Sequence, residues 1–355
     1  MKIGQLNRTI DGLSIEALQS SYSLKYYSCI HMTQSSRFTP PSMLKNPHIQ
    51  SILNSLGPRK IRAKRLTKKL DSEMLTLTAK DGTRLLAEYD RSQTPNQSLI
   101  VLIHGWEGSS QSAYQVTTAN YLLKQGFDVL RLNLRDHGDS HHLNFELFNS
   151  TMTNEVAEAI ACFFETHDYE KRFLAGFSLG GNFTLRIAAD HGTSLKLTAA
   201  AAICPPVDPT NAMTALDNTL FIYERYFFYR WSKSLRKKIA HFPEHGFEHV
   251  LNSARTIEDM NSFFIDRHTP FKDAKSYFEA YSLIGDRLQA LAIPAYLIAS
   301  EDDPIIPAED LQQINCPEKL TIELQEYGGH CGFIKNLSAH SWVENRLVDL
   351  FRGYL

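Results

Sequence analysis

The sequence predicts an α/β fold, a mostly parallel central sheet with helices on both of its faces. From residue 73 onward, strand-like apolar segments alternate with helix patterns, which is typical of parallel strands joined by crossover helices. The segment Ser98–Ile103 is a short apolar run, as expected for a strand that is covered on both faces. At Gly176–Gly180, a Gly-x-Ser-x-Gly sequence stands between an apolar run and a helix pattern.

Length, charge and composition narrow the class of protein. The 355 residues suffice for one large α/β domain with an insertion or for two modest domains, and 43% of them are hydrophobic. A net charge of −2 gives no general attraction to nucleic acid. The N-terminus lacks a signal-peptide pattern, and no apolar run approaches the roughly 18 residues that a membrane-spanning helix needs. We therefore expect a cytoplasmic protein without a nucleic-acid partner.

The cysteines are odd in number and include no Cys-x-x-Cys pair. They are Cys29, Cys162, Cys204, Cys316 and Cys331. Such scattered cysteines are typical of reduced thiols in a cytosolic protein rather than of a disulfide framework.

The N-terminal part of the chain is weakly patterned. Residues 1–36 are polar, and we expect an irregular or short helical extension there. In the segment that follows, prolines prevent one continuous helix, and Asn46-Pro47 favours a turn that begins one. A basic run comes next: Arg59, Lys60, Arg62, Lys64, Arg65, Lys68 and Lys69. Because no aromatic residues interleave with these charges, we interpret the run as a solvated first strand and its flanks rather than a phosphate or membrane site.

The core elements follow in chain order. Met74–Thr78 and Leu85–Tyr89 flank Asp81-Gly82, which is a hairpin signal. The further predicted strands are Ser98–Ile103, Asp128–Leu134, Phe173–Ala175, Leu195–Ile203, Pro294–Ala299 and Leu320–Glu326. The predicted helices are Ala113–Lys124, Asn154–Phe164, the residues after Gly180, and a closing helix with Val343, Leu347, Leu350 and Phe351 on one face.

The strand–helix alternation stops after Cys204. About 80 residues, from Pro205 to roughly Leu288, lack a strand signal and are rich in aromatic residues and helix formers. We therefore divide the chain into an N-terminal extension (1–36), a first core part (37–204), a helical cap insertion (205–288) and a second core part (289–355).

Ser178, at the centre of the Gly-x-Ser-x-Gly sequence, is the candidate nucleophile. A serine on a sharp strand-to-helix turn is lifted above the sheet edge, next to a helix N-terminus that favours negative charge. An activated serine also needs a base and an acid, in the chain order serine, acid, histidine. His330 follows the last predicted strand on a Gly-rich loop, and we expect it to be the base. The acid has three candidates after two earlier strands: Asp208, Asp302 and Asp303.

An oxyanion hole requires two backbone N–H groups that point at the oxygen of the tetrahedral intermediate. The first is the amide after the nucleophile, that of Leu179. The second is expected from the loop His104–Gly108, where the Trp106 amide is the candidate. His104 itself is expected to brace this loop rather than to take part in the chemistry.

Six motifs together resemble the YheT-like family of α/β-hydrolases, which is related to the yeast medium-chain fatty-acid ethyl ester synthase/esterases. They are Phe38-x-Pro-Pro, Asn46-Pro-His-x-Gln-x-Ile-Leu53, His104-Gly-x-Glu-Gly-Ser-Ser110, Gly176-Phe-Ser-Leu-Gly-Gly-Asn182, Asp302-Asp-Pro304 and Gly328-Gly-His330. The resemblance runs from about residue 37 to the end and implies an α/β-hydrolase fold. It also implies that Ser178, Asp303 and His330 form the catalytic triad. Asp303 further matches the acid-x-x-x-Pro turn of such hydrolases through Pro307.

Two loops depart from the family pattern. The loop after the Asp128–Leu134 strand begins with Arg135-Asp136, where many relatives have Arg-Gly, and Trp106 stands where Leu is common. The first of these loops also carries His137, Asp139, His141 and His142. Imidazoles and a carboxylate could ligate zinc, but their spacing matches no zinc pattern, so we predict no metal site.

These observations predict a serine hydrolase of carboxylic esters, with acyl or lipid-like esters as its small-molecule substrates and no cofactor. Acyl transfer to an alcohol uses the same triad and stays open. A non-catalytic binding protein on the same fold is disfavoured by the intact nucleophile, acid and base.

In the cap, aromatic residues cluster at Phe221, Tyr223, Tyr226, Phe227, Phe228, Tyr229 and Trp231, followed by Lys233, Arg236, Lys237 and Lys238. They are expected to pack the cap or, alternatively, to line an acyl pocket whose basic side meets a lipid surface.

Overall fold

An eight-stranded sheet forms the centre of the molecule. The computed structural model describes residues 37–355, so the extension 1–36, including Cys29, lies outside the described residues. The strands are β1 (Glu73–Thr78), β2 (Arg84–Asp90), β3 (Ser98–Ile103), β4 (Asp128–Leu132), β5 (Lys171–Phe177), β6 (Ala199–Ile203), β7 (Ala295–Ser300) and β8 (Leu320–Gln325). Their spatial order is β1-β2-β4-β3-β5-β6-β7-β8. The predicted strands are all present, with shifts of one to four residues at some ends.

Eleven α-helices are found among residues 37–355. They are α1 (Pro47–Ser55), α2 (Gly57–Thr67), α3 (Ala113–Leu123), α4 (Thr153–Thr166), α5 (Leu179–His191), α6 (Pro209–Asn218), α7 (Phe221–His241), α8 (Glu248–Ser253), α9 (Ile257–His268), α10 (Ala274–Ala280) and α11 (Trp342–Arg352). Three short 3₁₀ helices lie at Ser42–Leu44, Pro243–His245 and Ala308–Gln313.

The sheet is parallel from β4 onward and antiparallel at its β1 edge. Strands β1 and β2 form the predicted hairpin, in which Thr78 pairs with Arg84 and Gly82 adopts a φ of +88° in the turn. Strand β2 also pairs antiparallel with β4. The pairs β3–β4, β3–β5, β5–β6, β6–β7 and β7–β8 are all parallel. The carboxyl ends of β3, β5, β6, β7 and β8 therefore meet at one edge of the sheet.

The apolar core lies on both faces of this sheet, as the side-chain alternation of β3 shows. Leu99, Val101 and Ile103 belong to the cluster on one face. Ile100 and Leu102 belong to the cluster on the other. Every β3 residue is buried, which explains why this strand reads as an uninterrupted apolar run. Closing helix α11 covers the second face with Val343, Leu347 and Leu350.

The basic run after residue 58 was predicted as a strand with solvated flanks, and that prediction is wrong. The run forms helix α2, whose first basic residue, Arg59, is fully buried. Its guanidinium donates to Thr117 Oγ1 at 2.9 Å, to Asn54 Oδ1 at 2.5 Å and to Glu344 Oε1 at 3.1 Å. A buried guanidinium needs such partners because desolvation without them is very costly. Arg59 therefore fixes α2 to α3 and α11 of the core.

Residues 205–288 are helical apart from their connections and contain α6 to α10. The prediction that this segment has a basic side free to meet a lipid surface is wrong in part. Lys238 is buried and donates to Asp136 Oδ1 at 2.7 Å, Asn144 O at 2.7 Å and Glu146 O at 3.1 Å. Lys237 pairs with the exposed Asp139 at 3.3 Å. These lysines attach α7 to the loop after β4, so they do not form a free face.

The cysteines agree with the prediction of reduced thiols at three positions. Cys162, Cys204 and Cys331 carry free thiols. Cys316 is disulfide-bonded, so the prediction is wrong there. No helix within residues 37–355 is long and apolar enough to cross a membrane.

Candidate active site

Ser178 sits at a sharp turn between β5 and α5. Its φ of 53° and ψ of −123° are strained for a residue with a side chain. The flanking glycines are required by close backbone approaches: a Cβ on Gly176 would lie 2.1 Å from Gly180 O, and a Cβ on Gly180 would lie 2.4 Å from His104 O. The chain can make this turn only with glycine at both positions. The turn places the Ser178 hydroxyl at the carboxyl edge of the sheet.

The structure brings together the serine, the histidine and one of the three candidate acids. His330 Nε2 lies 2.9 Å from Ser178 Oγ, and His330 Nδ1 lies 2.9 Å from Asp303 Oδ2. Burial by itself lowers the pKa of His330, but the Asp303 carboxylate and the neighbouring Cys331 thiol together outweigh this effect and raise the pKa well above that of ordinary imidazole. In the neutral tautomer with the proton on Nδ1, Nε2 is free to accept the serine proton.

The other two acids have different contacts. Asp208 is the N-cap of α6 and accepts hydrogen bonds from the amides of Thr210 and Asn211. Asp302 contacts the histidine loop: its Oδ1 accepts a hydrogen bond from the Gly329 amide at 2.8 Å. Asp302 therefore holds the loop that carries His330, without contacting the imidazole itself.

The histidine loop is held from several directions. Ser300 Oγ donates to Gly329 O at 2.8 Å. From helix α1, Ser51 Oγ accepts from the His330 amide at 2.8 Å. Gly329 has a φ of +51°, and a Cβ there would lie 2.4 Å from Pro47 O. The close packing of α1 against this loop sets the height of the imidazole above the sheet.

Gln50 makes a second connection between α1 and the same loop. Its buried amide donates to Leu44 O at 2.7 Å and to Ile334 O at 3.2 Å, and its Oε1 accepts from the Ile334 amide at 2.5 Å. The segment around Gln50 was predicted only as part of a family motif. The roles of Gln50 and Ser51 were not predicted, since nothing local in the sequence indicates a partner about 280 positions away. The role of Asp302 was not predicted either, because its hydrogen bond depends on how two separate loops pack.

Two buried histidines shape the loop that follows β3. His104 Nδ1 is 2.8 Å from Gly105 O, while its Nε2 accepts from the Leu134 amide at 3.1 Å. His137 is arranged similarly: its Nδ1 is 2.7 Å from Arg135 O, and its Nε2 accepts from the Glu107 amide at 3.1 Å. Burial lowers the pKa of both rings, that of His137 to about 4. Both are therefore neutral near pH 7 and act as braces.

The two candidate oxyanion donors lie close to Ser178. Leu179 is the first residue of α5, where N–H groups have no partner within the helix. The loop of Trp106 passes directly against the serine, since a Cβ on Gly105 would lie 3.1 Å from Ser178 Cβ. Glu107, next in the loop, has a φ of 56°, which turns the chain sharply at this point.

The histidines after β4 do not form a metal site. Within residues 37–355, no group of three or more His, Cys, Asp or Glu side chains could hold a metal ion. His141 Nε2 instead lies 2.8 Å from Ser234 Oγ of helix α7, and burial lowers the pKa of His141 to about 3. Asp139 is exposed and pairs with Lys237. This loop joins the core to the helical segment above it.

A mostly apolar pocket opens beside Ser178 and His330. It contains about 860 Å³ of space between atoms, open solvent at its mouth included. Helices α6, α7, α9 and α10 supply most of its wall, with Met213, Leu216, Phe227, Trp231, Ile257 and Phe278. From the core, the Trp106 ring stacks on Phe227 at a centroid distance of 5.2 Å and meets Trp231 edge-on at 5.5 Å. The Trp106 ring thus provides a contact between the core and the helical segment 205–288.

A second, wider space reaches the same serine from another side. This open groove contains about 2080 Å³ between atoms, open solvent included, and Ser178, His330 and Cys331 lie along it. Cys331 Sγ is 3.9 Å from His330 Nε2 and 3.5 Å from Ile203 O, so the thiol lies beside the base. Ser178 therefore faces an apolar pocket and an open groove at once.

Comparisons with known proteins agree with this arrangement. Residues 98–337 match the family described as alpha/beta hydrolase fold. The protein YheT of Escherichia coli (strain K12), whose name assigns it provisionally to the esterases, is 25% identical over 334 residues, covering 91% of this chain and 95% of that one. Medium-chain fatty acid ethyl ester synthase/esterase 2 of Saccharomyces cerevisiae is 22% identical over 292 residues, covering 72% of this chain and 62% of that one.

Among solved structures, the Pyrococcus furiosus esterase Pf2001 superposes with a TM-score of 0.56 at 14% identity, covering 91% of this chain and 99% of that one. The 2,6-dihydroxy-pseudo-oxynicotine hydrolase has a TM-score of 0.54 at 14% identity, covering 95% and 79%. At this identity the structural likeness concerns the fold. Together with the named relatives, it supports a hydrolase of the esterase type.

Proposed function

The chain belongs to the alpha/beta hydrolase fold family, and from this premise we propose that it is a serine hydrolase of carboxylic esters. The observation that carries the proposal is the hydrogen-bonded series from Asp303 through His330 to Ser178, with 2.9 Å at both steps. A nucleophile, a base and an orienting acid in this order are what acyl transfer through a covalent intermediate requires.

In the proposed mechanism, His330 takes the proton of Ser178 as Oγ attacks the ester carbonyl. Asp303 holds the imidazole in the productive tautomer and stabilises the imidazolium that forms. The amides of Leu179 and Trp106 stabilise the oxyanion, the helix N-terminus of α5 adding a favourable field. His330 then protonates the leaving alcohol, and water activated by the same imidazole releases the acid from the acyl-enzyme.

The acyl group of the substrate is assigned to the apolar pocket. Its wall of aliphatic and aromatic side chains suits a hydrocarbon chain, and each buried methylene contributes about 0.8 kcal/mol. The leaving alcohol is then directed into the open groove on the other side of Ser178.

The direct test is covalent labelling with a fluorophosphonate probe together with hydrolysis of p-nitrophenyl esters from acetate to palmitate. Ser178→Ala is expected to abolish labelling and to reduce turnover by about 10⁴–10⁶-fold. Comparable turnover in the purified Ser178→Ala protein, with contaminating esterase excluded, would refute the proposal and favour a binding protein on a hydrolase fold.

Acyl transfer to an alcohol is a second candidate, because the groove is wide enough for an alcohol to take the place of the hydrolytic water. The name of the yeast relative, a fatty acid ethyl ester synthase/esterase, covers both reactions. Adding ethanol to the ester assay and measuring the ratio of ethyl ester to free acid distinguishes the two outcomes.

We further propose that exposed apolar residues allow transient contact with a lipid surface. Phe221 is 73% exposed and Tyr229 63% exposed on α7, and Ile49 and Ile52 project from the neighbouring α1. The ring of His48 on α1 lies 5.7 Å from that of Tyr223 on α7, so the two helices adjoin here. Co-sedimentation with neutral vesicles, compared between the wild type and Phe221→Ser, tests this contact.

A further inference from the structure

The open groove beside Ser178 has walls of different character. Helix α2 forms one wall, the loop from Gly105 to Ser112 with the start of α3 forms the floor, and helix α7 forms the opposite wall with Tyr226, Tyr229 and Arg230. Ser178 and His330 lie at its inner end. This space gives a leaving group that points away from the apolar pocket a route out of the site.

Lys60 and Lys64 of α2, with Lys68 directly after the end of the helix, line this wall. Their spacing of four residues places them on one face of the helix, one above the other. All three are exposed, and no carboxylate within residues 37–355 forms an ion pair with them. Arg59 and Arg62 on the same helix differ, because both pair with Glu344. The lysines in the groove therefore keep their positive charge uncompensated.

Arg230 adds a cation on the opposite wall. Its guanidinium donates to the backbone carbonyl of Glu107 at 2.5 Å, which fixes it at the groove without neutralising its charge. The Glu107 side chain is the acidic group that lines the groove together with these cations. Burial raises the pKa of this carboxyl to about 8, so it carries little negative charge near pH 7.

We propose that this groove binds the leaving group of the ester substrate and that this leaving group is an alcohol bearing a phosphate. The proposal rests on the proposed esterase function of Ser178 and specifies its substrate class. A phosphate offers three strong acceptor oxygens and nearly two negative charges, which suits several lysines that act as point charges along one face.

The phosphate takes no part in the bond changes. Ser178 Oγ forms a bond to the acyl carbon, and the bond from that carbon to the alcohol oxygen breaks. The serine proton passes to His330 Nε2 and then to the departing alcohol oxygen. The phosphorylated alcohol leaves intact, with its phosphorus–oxygen bonds unchanged.

The test compares two soluble substrates that differ only in the phosphate: octanoyl glycerol and octanoyl glycerol 3-phosphate, both below the concentration at which they form micelles. The wild type is expected to have the higher kcat/KM on the phosphate ester, and this preference is expected to shrink as salt is added. In Lys60→Gln/Lys64→Gln, kcat/KM on the phosphate ester is expected to fall about fivefold or more, with less than about a twofold change on the neutral ester.

The matched control is Arg65→Gln/Lys69→Gln. It removes the same charge from the same segment at exposed positions that do not line the groove. It is expected to keep the wild-type preference. An equal loss in both double variants would overturn the proposal, because general attraction by the basic segment would then explain the effect.

Other outcomes also decide the question. Hydrolysis of both esters without a preference for the phosphate, with Ser178 required, would overturn the groove assignment and leave the esterase proposal intact. A preference that appears only when the phosphate ester is presented in vesicles would also overturn it, because the lysines would then act on a lipid surface. If Ser178→Ala hydrolyses both esters normally, the esterase proposal itself fails.

Discussion

The core and the cap present opposite kinds of surface to the same serine. On the core side, the acid and the base that serve Ser178 are polar and held by hydrogen bonds: His330 by Asp303 and Ser51, and the histidine loop by Asp302. On the cap side, the groups that face the serine are apolar side chains such as Phe227 and Trp231. Hydrogen bonds require particular distances and angles between their atoms, so they fix where a polar side chain lies. Apolar packing mainly requires that the space between side chains be filled.

This difference separates two aspects of the proposed chemistry. In the proposed function, acyl transfer depends on the core, which carries the nucleophile, the base and the candidate oxyanion donors. In the same proposal, the choice of acyl group depends on the cap, which supplies most of the pocket wall. The two are joined through the loop after β4, where Lys238 and Ser234 of α7 contact Asp136 and its neighbours.

The largest effect is expected from the acid of the core. Asp303→Asn should reduce turnover by about 10⁴-fold, since the imidazole would lose both its orientation and the stabilisation of its charged form. Asp302→Asn should cost far less, because the Asp302 carboxylate accepts from the Gly329 amide and not from the imidazole. Turnover with p-nitrophenyl esters measures both.

Asp208→Asn serves as the control, since Asp208 caps helix α6 away from the imidazole. A near-normal rate in Asp303→Asn combined with a collapse in Asp302→Asn or Asp208→Asn would show that the acid is misassigned. The three variants must first be shown to fold by circular dichroism and thermal unfolding.

The next largest effect concerns the junction between the two regions. Lys238→Met would leave the buried Asp136 carboxylate without its cation, and removing one partner of such a pair typically costs about 3–5 kcal/mol. We expect a corresponding fall in the free energy of unfolding, measured with urea. Lys237→Met is the matched control: its pair with Asp139 is exposed, so its loss should cost less than about 1 kcal/mol. Equal losses of unfolding free energy in the two variants would mean that the Lys238–Asp136 pair does not join α7 to the loop after β4.

Lowering the pH is expected to weaken the same contact between α7 and the loop after β4. His141 has a pKa of about 3 in the folded protein because of burial, and also because of nearby Lys237, compared with an ordinary value of 6.5. A lowered folded pKa means that its stabilising contribution is present above pH 6.5 and is lost as the pH falls toward 3. The loss per histidine is about 1.4 kcal/mol for each pH unit in that window.

The variant His141→Asn isolates this contribution. Between pH 6.5 and pH 5, its free energy of unfolding should fall by about 2 kcal/mol less than that of the wild type. Urea unfolding at the two pH values provides the measurement. Parallel pH dependence in the two proteins would mean that His141 is not held neutral in the folded state.

The smallest effect is a change of acyl-chain selectivity. Phe227 lines the apolar pocket and stacks on Trp106, so Phe227→Ala should enlarge the pocket and favour longer acyl chains. Each additional buried methylene corresponds to about fourfold in relative kcat/KM. Phe221→Ala is the control, since this residue is 73% exposed and does not line the pocket. An unchanged chain-length profile in Phe227→Ala would separate the cap from substrate selection.

Features whose signals lie within a short stretch of sequence could be predicted, and features that depend on distant partners could not. The strands and the turn at Ser178 were predictable because their signals are local: continuous apolar runs, and glycines that the backbone geometry requires. The proximity of His330 to Ser178 followed from the chain order of strand ends at one sheet edge. The choice among three acids depended on family resemblance, and the structure places only Asp303 against the imidazole.

The predictions that proved wrong concern basic side chains whose partners are distant in the chain. A run of basic residues looks solvated in sequence, yet Arg59 is buried because Glu344, 285 positions later, pairs with it. The basic end of α7 looked like a free surface, yet Lys238 is enclosed by residues of the loop after β4. Such burial depends on how the elements pack, and no local pattern encodes it.

The contact between Ser51 and the His330 amide has a consequence for the timing of activity during biosynthesis. Ser51 is made before the sheet and the cap, and His330 is made after both. A ribosome-bound chain that has already formed β5 and its serine turn still lacks the base and the loop that carries it. The proposed enzyme therefore gains its reactivity only after residue 330 has been made, when the late histidine loop meets the early helix.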